Sequence, residues 1–198
     1  RYDNTIPTPP FSEEVSDQQH AFGGDILFRW SREIDEQTGW QFQSFFDKTR
    51  RNLVAWAETR NTYDIDFQYR FSPAEFHQFI TGANDRRSQD LERGGFSFEL
   101  IPPAYATQWA SVFAQDEMTL IEDFSYFTLG CRLEYNSFGK FQPEPTARLL
   151  WMPSERQSCW VAVSRAVRNP TRFDTGVSIN FFAAPGPGGS GQFFNVLG

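Results

Sequence analysis

The sequence predicts an all-β fold built from antiparallel sheets with short connecting helices. Three observations carry that expectation. Apolar and polar residues alternate with period two in about eight separate segments. The alternate positions are charged or hydroxylated, as in strands of an antiparallel sheet with one wet face. About eight such strands in one chain of 198 residues fit a sandwich or a barrel.

Residues 1–20, with Pro7, Pro9 and Pro10 and a polar run to His20, read as an extended N-terminal arm. Ile26, Phe28 and Trp30 then share one face of a strand. Gln41 to Leu53 carries Phe42, Phe45, Phe46 and Leu53 near helical spacing and leads into a strand around Leu53 to Glu58. Tyr63, Ile65, Phe67, Tyr69 and Phe71 form the strongest alternating set, against Asp64, Asp66, Gln68 and Arg70. Ser72 and Pro73 are suited to cap and open a short helix holding Phe76, Phe79 and Ile80. The polar, Arg-rich stretch from Thr81 to Gly95 reads as an exposed loop. Strands follow around Phe96–Leu100, Leu129–Tyr135, Ala147–Met152, Cys159–Arg165 and Val177–Phe181, with a helical turn at Ala104–Phe113. Residues 21–183 form the domain, and residues 184–198 form a Gly/Pro-rich C-terminal arm ending in Phe193, Phe194, Val196 and Leu197.

Composition narrows the function classes. The net charge is −7, from 18 basic and 25 acidic residues, which opposes binding to a polyanion. No run approaches 18 consecutive apolar residues, so no membrane-spanning helix is expected. Residue 1 is Arg and no cleavable leader follows, as in a mature or processed form or a piece cut from a larger precursor. The 22 Phe, six Trp and six Tyr exceed what one small core needs, so some are expected at partner surfaces. Two cysteines cannot make a disulfide framework or a four-ligand zinc site. One bridge remains open to Cys131 and Cys159. Their places on apolar strand faces predict two buried free thiols.

Nothing in the sequence assembles a catalytic centre. His20 lies in the arm and His77 on the expected short helix, so neither serves a nucleophile as base. Asp64 and Asp66 share one strand face, whereas a glycosidase pair stands across a cleft. The glycine-rich tail lacks the lysine and the helix of a phosphate loop. Arg50-Arg51 and Arg86-Arg87 are the basic doublets, and acids surround both. No catalytic, cofactor or metal residue is therefore expected, and the protein is read as a non-enzyme.

Residues 49–71, TRRNLVAWAETRNTYDIDFQYRF, resemble a segment of picornavirus-type coat proteins. Pro102-Pro103-Ala104 after FSFELI and Glu134-Tyr135-Asn136-Ser137 after MTLIEDFSYFTLGCRL are similar to later elements of the same family, in the same order. The resemblance spans about residues 45–140. It implies an eight-stranded jelly roll and a structural role in an icosahedral RNA-virus shell. The implied partners are other coat-protein chains, with at most weak non-specific contact with genomic RNA and no membrane; the implied location is the virion. The expected inter-subunit contacts are Phe193, Phe194, Val196, Leu197, Arg86 and Arg87. Two readings stand beside it: a secreted or effector-type β-sandwich that binds a protein or glycan, and an α+β enzyme.

Overall fold

The computed structural model describes residues 2–8, 11–53, 56–95, 97–185 and 191–197. Strands β1 (Tyr2–Thr8) and β2 (Phe11–Asp17) pair as a hairpin. The principal sheet holds β3 (His20–Glu33), β4 (Gly39–Leu53), β5 (Trp56–Ala74) and β6 (His77–Gly94). After the short β7 (Phe98–Leu100) it resumes with β8 (Ala104–Ile121), β9 (Ser125–Asn136), β10 (Lys140–Ser154) and β11 (Gln157–Ser164). A five-residue helix α1 (Arg172–Gly176) then leads to β12 (Val177–Pro185) and β13 (Gly191–Leu197). Strands β12 and β13 form a small sheet with β7.

The all-β, antiparallel expectation holds. The eight strands of the principal sheet lie in the order β11-β10-β9-β8-β6-β5-β4-β3, so each pairs with its successor there and the sheet is an up-and-down meander. A jelly roll would instead place sequence-distant strands side by side in two packed layers. The strands are also long. The 19 residues of β5 reach about 60 Å at about 3.3 Å per residue, against about 20 Å for an ordinary globular strand.

Several local expectations are corrected. Gln41 to Leu53 is strand β4, not a helix. Phe42 and Phe46 face one side and Phe45 the other, and paired neighbours on both flanks supply a ladder for every backbone group. Ser72–Pro73 lies in an irregular stretch where β5 turns into β6 rather than opening a helix, and Ala104 to Phe113 belongs to β8. The expected loop at 81–95 is the bulk of β6. Its alternation is hidden because both of its faces carry polar residues there. Strand β13 occupies about half of the expected loose tail, and β1 and β2 most of the expected N-terminal arm.

Four turns of the principal sheet lie along one edge. They are closed by Glu33–Gly39, Ala74–His77, Ile121–Ser125 and Ser154–Gln157. Followed through the ladder, each closing pair sits two or three residues beyond the one before. The shift totals about seven residues over about six strand steps, which at about 3.3 Å per residue and 4.8 Å per strand inclines the strands by roughly 40° to the line of turns.

Candidate functional site

Register assigns every side chain of the principal sheet to one of two faces. On the first face, Trp30, Phe42, Phe67, Ala83, Val112, Leu133 and Pro143 form one continuous cross-strand row. Phe28, Ile65, Tyr135 and Phe141 share the row above, and Phe71, Phe79, Leu129, Ala147 and Val163 a row below. Rings meet edge-on, tilted or stacked along it: Trp30 on Trp40 at 4.9 Å, Phe46 on Tyr63 at 4.9 Å and Phe71 on Phe79 at 5.4 Å. This face is open. Ile26 is 71% exposed, Phe141 67% and Val163 73%.

The opposite face is charged and holds most of the buried side chains of the sheet. Asp64 and Glu58 on β5 and Glu92 on β6 are each at most 5% exposed, and Asn136 at the end of β9 is fully enclosed. Leu100 is the one buried apolar side chain among the described residues. Polarity is therefore inverted with respect to a water-soluble domain, and buried polar groups beside a broad exposed apolar patch are the informative combination.

Arginines answer the buried carboxylates. Arg86 Nε donates to Asp64 Oδ2 at 2.7 Å, Arg60 lies 2.6 Å from Glu58, and Arg172 lies 2.9 Å from Asp90. Residues 165–176 return across this face after β11. Asn169 donates to Glu134 and accepts from Asn136, each at 2.5 Å. The Arg172 guanidinium stands 5.2 Å over the Tyr105 ring and also donates to the Pro102 carbonyl. Thr171 caps α1 through a reciprocal bond with Asp174. The Thr171 backbone N–H, with its hydroxyl, holds the Asp174 carboxyl below the usual carboxylate range.

Two clefts open between this returning segment and the sheet. One of about 360 Å³ is lined by Asn84, Arg86, Trp109, Arg132, Glu134 and Asn169. The other, of about 430 Å³, is lined by Arg60, Arg86, Trp109, Phe138, Arg172 and Phe173, among others. Both suit a polar solute with flat or anionic groups, since guanidinium and aromatic surfaces stand side by side.

The sheet resembles part of a siderophore receptor. That structure, the siderophore receptor PirA from Pseudomonas aeruginosa, superposes with a TM-score of 0.64 at 15% sequence identity. The match covers 78% of this chain and 30% of the receptor chain, so this chain spans about a third of the length of that protein. The likeness is one of fold. No protein-family model and no curated protein matches the chain.

The residues singled out in the sequence fall in different places. Arg86 points to the charged face and Arg87 to the apolar one, where its Nε donates to Asp85 at 3.1 Å. Val196 and Leu197 are exposed on β13, paired in backbone register with Ile179 and Ser178. The backbones of Phe193 and Phe194 pair with Phe182 and Phe181, and their side chains lie outside the described set. Cys131 and Cys159 are free and exposed on the apolar face, against the expectation of burial, because that face packs on nothing among the described residues. Asp64, expected on a solvated face, is buried by its partner on β6. His77 meets Asp116 at 2.6 Å. Asp90, Trp109, Arg132, Asn169 and Arg172 were missed. For Asp90, Trp109 and Arg132 the only signal is alternation within polar segments, where period two separates two polar faces without marking either as a site; Asn169 and Arg172 lie outside the strands and carry no periodic signal.

Proposed function

We propose that this chain forms part of the wall of a membrane-spanning β-barrel. Its apolar face meets lipid, and its charged face lines a polar interior that receives a small solute. One observation carries the reading: the apolar band and the line of short turns run obliquely across the strands together. The band centres near Phe28 on β3 and near Val161 on β11, a slide of about eight residues that matches the stagger of the turns and gives the roughly 40° strand tilt of transmembrane barrels. Among the described residues no helix is long and apolar enough to cross a membrane, which bears only on helices.

The likeness to a siderophore receptor extends the proposal to the ligand class, a small polar metal chelate of siderophore type held against the guanidinium and indole groups of the inner clefts. The coat-protein reading assigns the apolar face a different cover, neighbouring subunits of a shell, and its jelly roll needs the sheet doubled into two packed layers. The sequential strand order supports the barrel wall.

The native thiols separate the two. Cys131 lies near the middle of the apolar band, about two residues from its midline by register. In membranes carrying the full-length protein, an uncharged bilayer-soluble maleimide should modify the Cys131 peptide and a charged, impermeant reagent should leave it intact, as read by peptide mass spectrometry. Rapid modification by the charged reagent, or recovery of the protein in detergent-free particles, defeats the barrel reading.

A further inference from the structure

On the lipid side of the proposed wall, beyond the apolar band and away from the turns closed by Glu33–Gly39 and Ala74–His77, the outward positions turn basic. Lys48 and Arg50 on β4 and Arg87 and Arg93 on β6 all point outward in register and are all exposed. Asp85 is the one acid among the outward positions of β4, β5, β6 and β8 in this region. The other acids here, Asp47, Glu58, Asp90 and Glu92, point inward. A chain of net charge −7 thus presents a positive collar on this part of its outer surface. Among the described residues, Lys48, Arg50 and Arg93 have no ion-pair partner.

The collar joins two concavities. Below it, Ala83, Ala110 and Val112 floor an apolar groove of about 360 Å³ between Phe67 and Phe141. Asp85 closes the upper end of that groove, held by Arg87 and by Gln108 Nε2 at 2.6 Å. Above it, Arg50 and Arg93 flank a pocket of about 240 Å³ with Asn52 and Thr59. The collar is tall. At about 3.3 Å per residue and roughly 40° of tilt, its cations rise from about 13 Å to nearly 30 Å above the band midline. The head of an ordinary phospholipid ends about 20–22 Å from the bilayer centre.

Resting on the barrel reading, we propose that this surface binds a phosphorylated glycolipid. One acyl chain lies in the groove over Ala83 and Ala110. Phosphates of the extended sugar head meet Lys48, Arg50, Arg87 and Arg93. The height of the collar selects this occupant over a phospholipid, whose single phosphate lies level with Lys48, Arg50 and Arg87 and leaves Arg93, at about 29 Å above the midline, unmet. Cations near an anionic lipid surface contribute about fivefold each to affinity, so losing three costs roughly 100-fold.

The test uses the full-length protein in mild detergent, with diphosphorylated lipid A and phosphatidylglycerol as separate probes and native mass spectrometry as readout. The wild type should retain lipid A well beyond phosphatidylglycerol. The K48Q/R50Q/R93Q variant should lose lipid A retention, roughly 100-fold, while keeping its heat-modifiable migration as a folded barrel. An A110W variant, which fills the groove, should lose retention of both lipids. Equal retention of the two probes by the wild type, or undiminished lipid A binding by the triple variant, overturns the proposal. Failure of the barrel reading registers differently: the wild type would then be recovered soluble without detergent and without heat-modifiable migration.

Discussion

Asp64 shows most directly how one residue reads both faces. It sits on the strongest alternating strand, between Tyr63 and Ile65, and points away from the rings. Its carboxylate is 5% exposed and depends on Arg86, with Asn84 Nδ2 3.4 Å away and held chiefly by the Ile65 carbonyl at 3.1 Å. Removing Arg86 strands a buried charge. Because the guanidinium is itself 47% exposed, Arg86→Ala should cost about 1–3 kcal/mol rather than the larger penalty of a fully buried pair. Adding Asp64→Asn should recover part of that loss, a coupling that a double-mutant cycle in urea with detergent-folded protein would measure. A simple sum of the two effects would mean that water already solvates Asp64.

At the scale of elements, the sheet depends on close approach and on tight turns. Gly82 on β6 faces inward beneath the Phe113 ring of β8, and a Cβ there would stand 2.7 Å from that ring and run into the Phe67 carbonyl. Gly82→Ala should therefore destabilise by about 1–3 kcal/mol. Phe113→Ala in the same chain should relieve only the ring clash, since the carbonyl belongs to the neighbouring strand. The β3–β4 turn is held by Asp35, which accepts from the backbone N–H of Gln37 at 2.9 Å and of Thr38 at 2.7 Å. The Gln37 N–H, with help from Thr38 and the charge of Arg70, keeps the Asp35 carboxyl below its usual range. A carboxyl depressed in the folded state adds stability above its unfolded pKa, about 3.9, and loses it as pH falls through the folded value. The turn should thus loosen only in strong acid. Amide exchange at Gln37 and Thr38 should show that acid transition in the wild type, and Asp35→Asn should abolish it.

Across the whole molecule, the same substitution should cost different amounts at different heights. Leu129 is 52% exposed and lies near the midline of the apolar band on β9, whereas Gln89 points outward on β6 well above it. In a bilayer, Leu129→Arg should cost about 2–4 kcal/mol and Gln89→Arg about 0–1 kcal/mol. Reversible unfolding from lipid vesicles reads that difference. Equal costs would remove the bilayer from the account. The edges of the principal sheet belong to this scale as well. Strands β3 and β11 each leave one backbone rim unpaired within it, and a barrel wall is completed by further strands on both rims.

The alternating sets at 26–30, 63–71, 129–135 and 159–165 were legible in the sequence, because a period of two needs no partner to be seen. So was the antiparallel class, because each set carries a wet side. The face assignment of Arg86 against Arg87 also follows from period two once β6 is known to be a strand. Segment 81–95 could not reveal itself that way, since its outward face, with Asp85, Arg87, Gln89 and Arg93, is nearly as polar as its inward one. Segment 41–53 placed Phe42, Phe45 and Phe46 at a spacing that serves helix and strand alike, and only pairing with β3 and β5 decided it. Which face is buried was a tertiary matter altogether. Alternation states that two faces differ, and a soluble sandwich and a barrel wall write the same pattern with opposite sides inward. The structure decided it by enclosing Asp64, Glu58 and Glu92 and leaving the rings open. The stagger of the turns was likewise set by the register of eight strands together, a property that no single strand of the sequence contains.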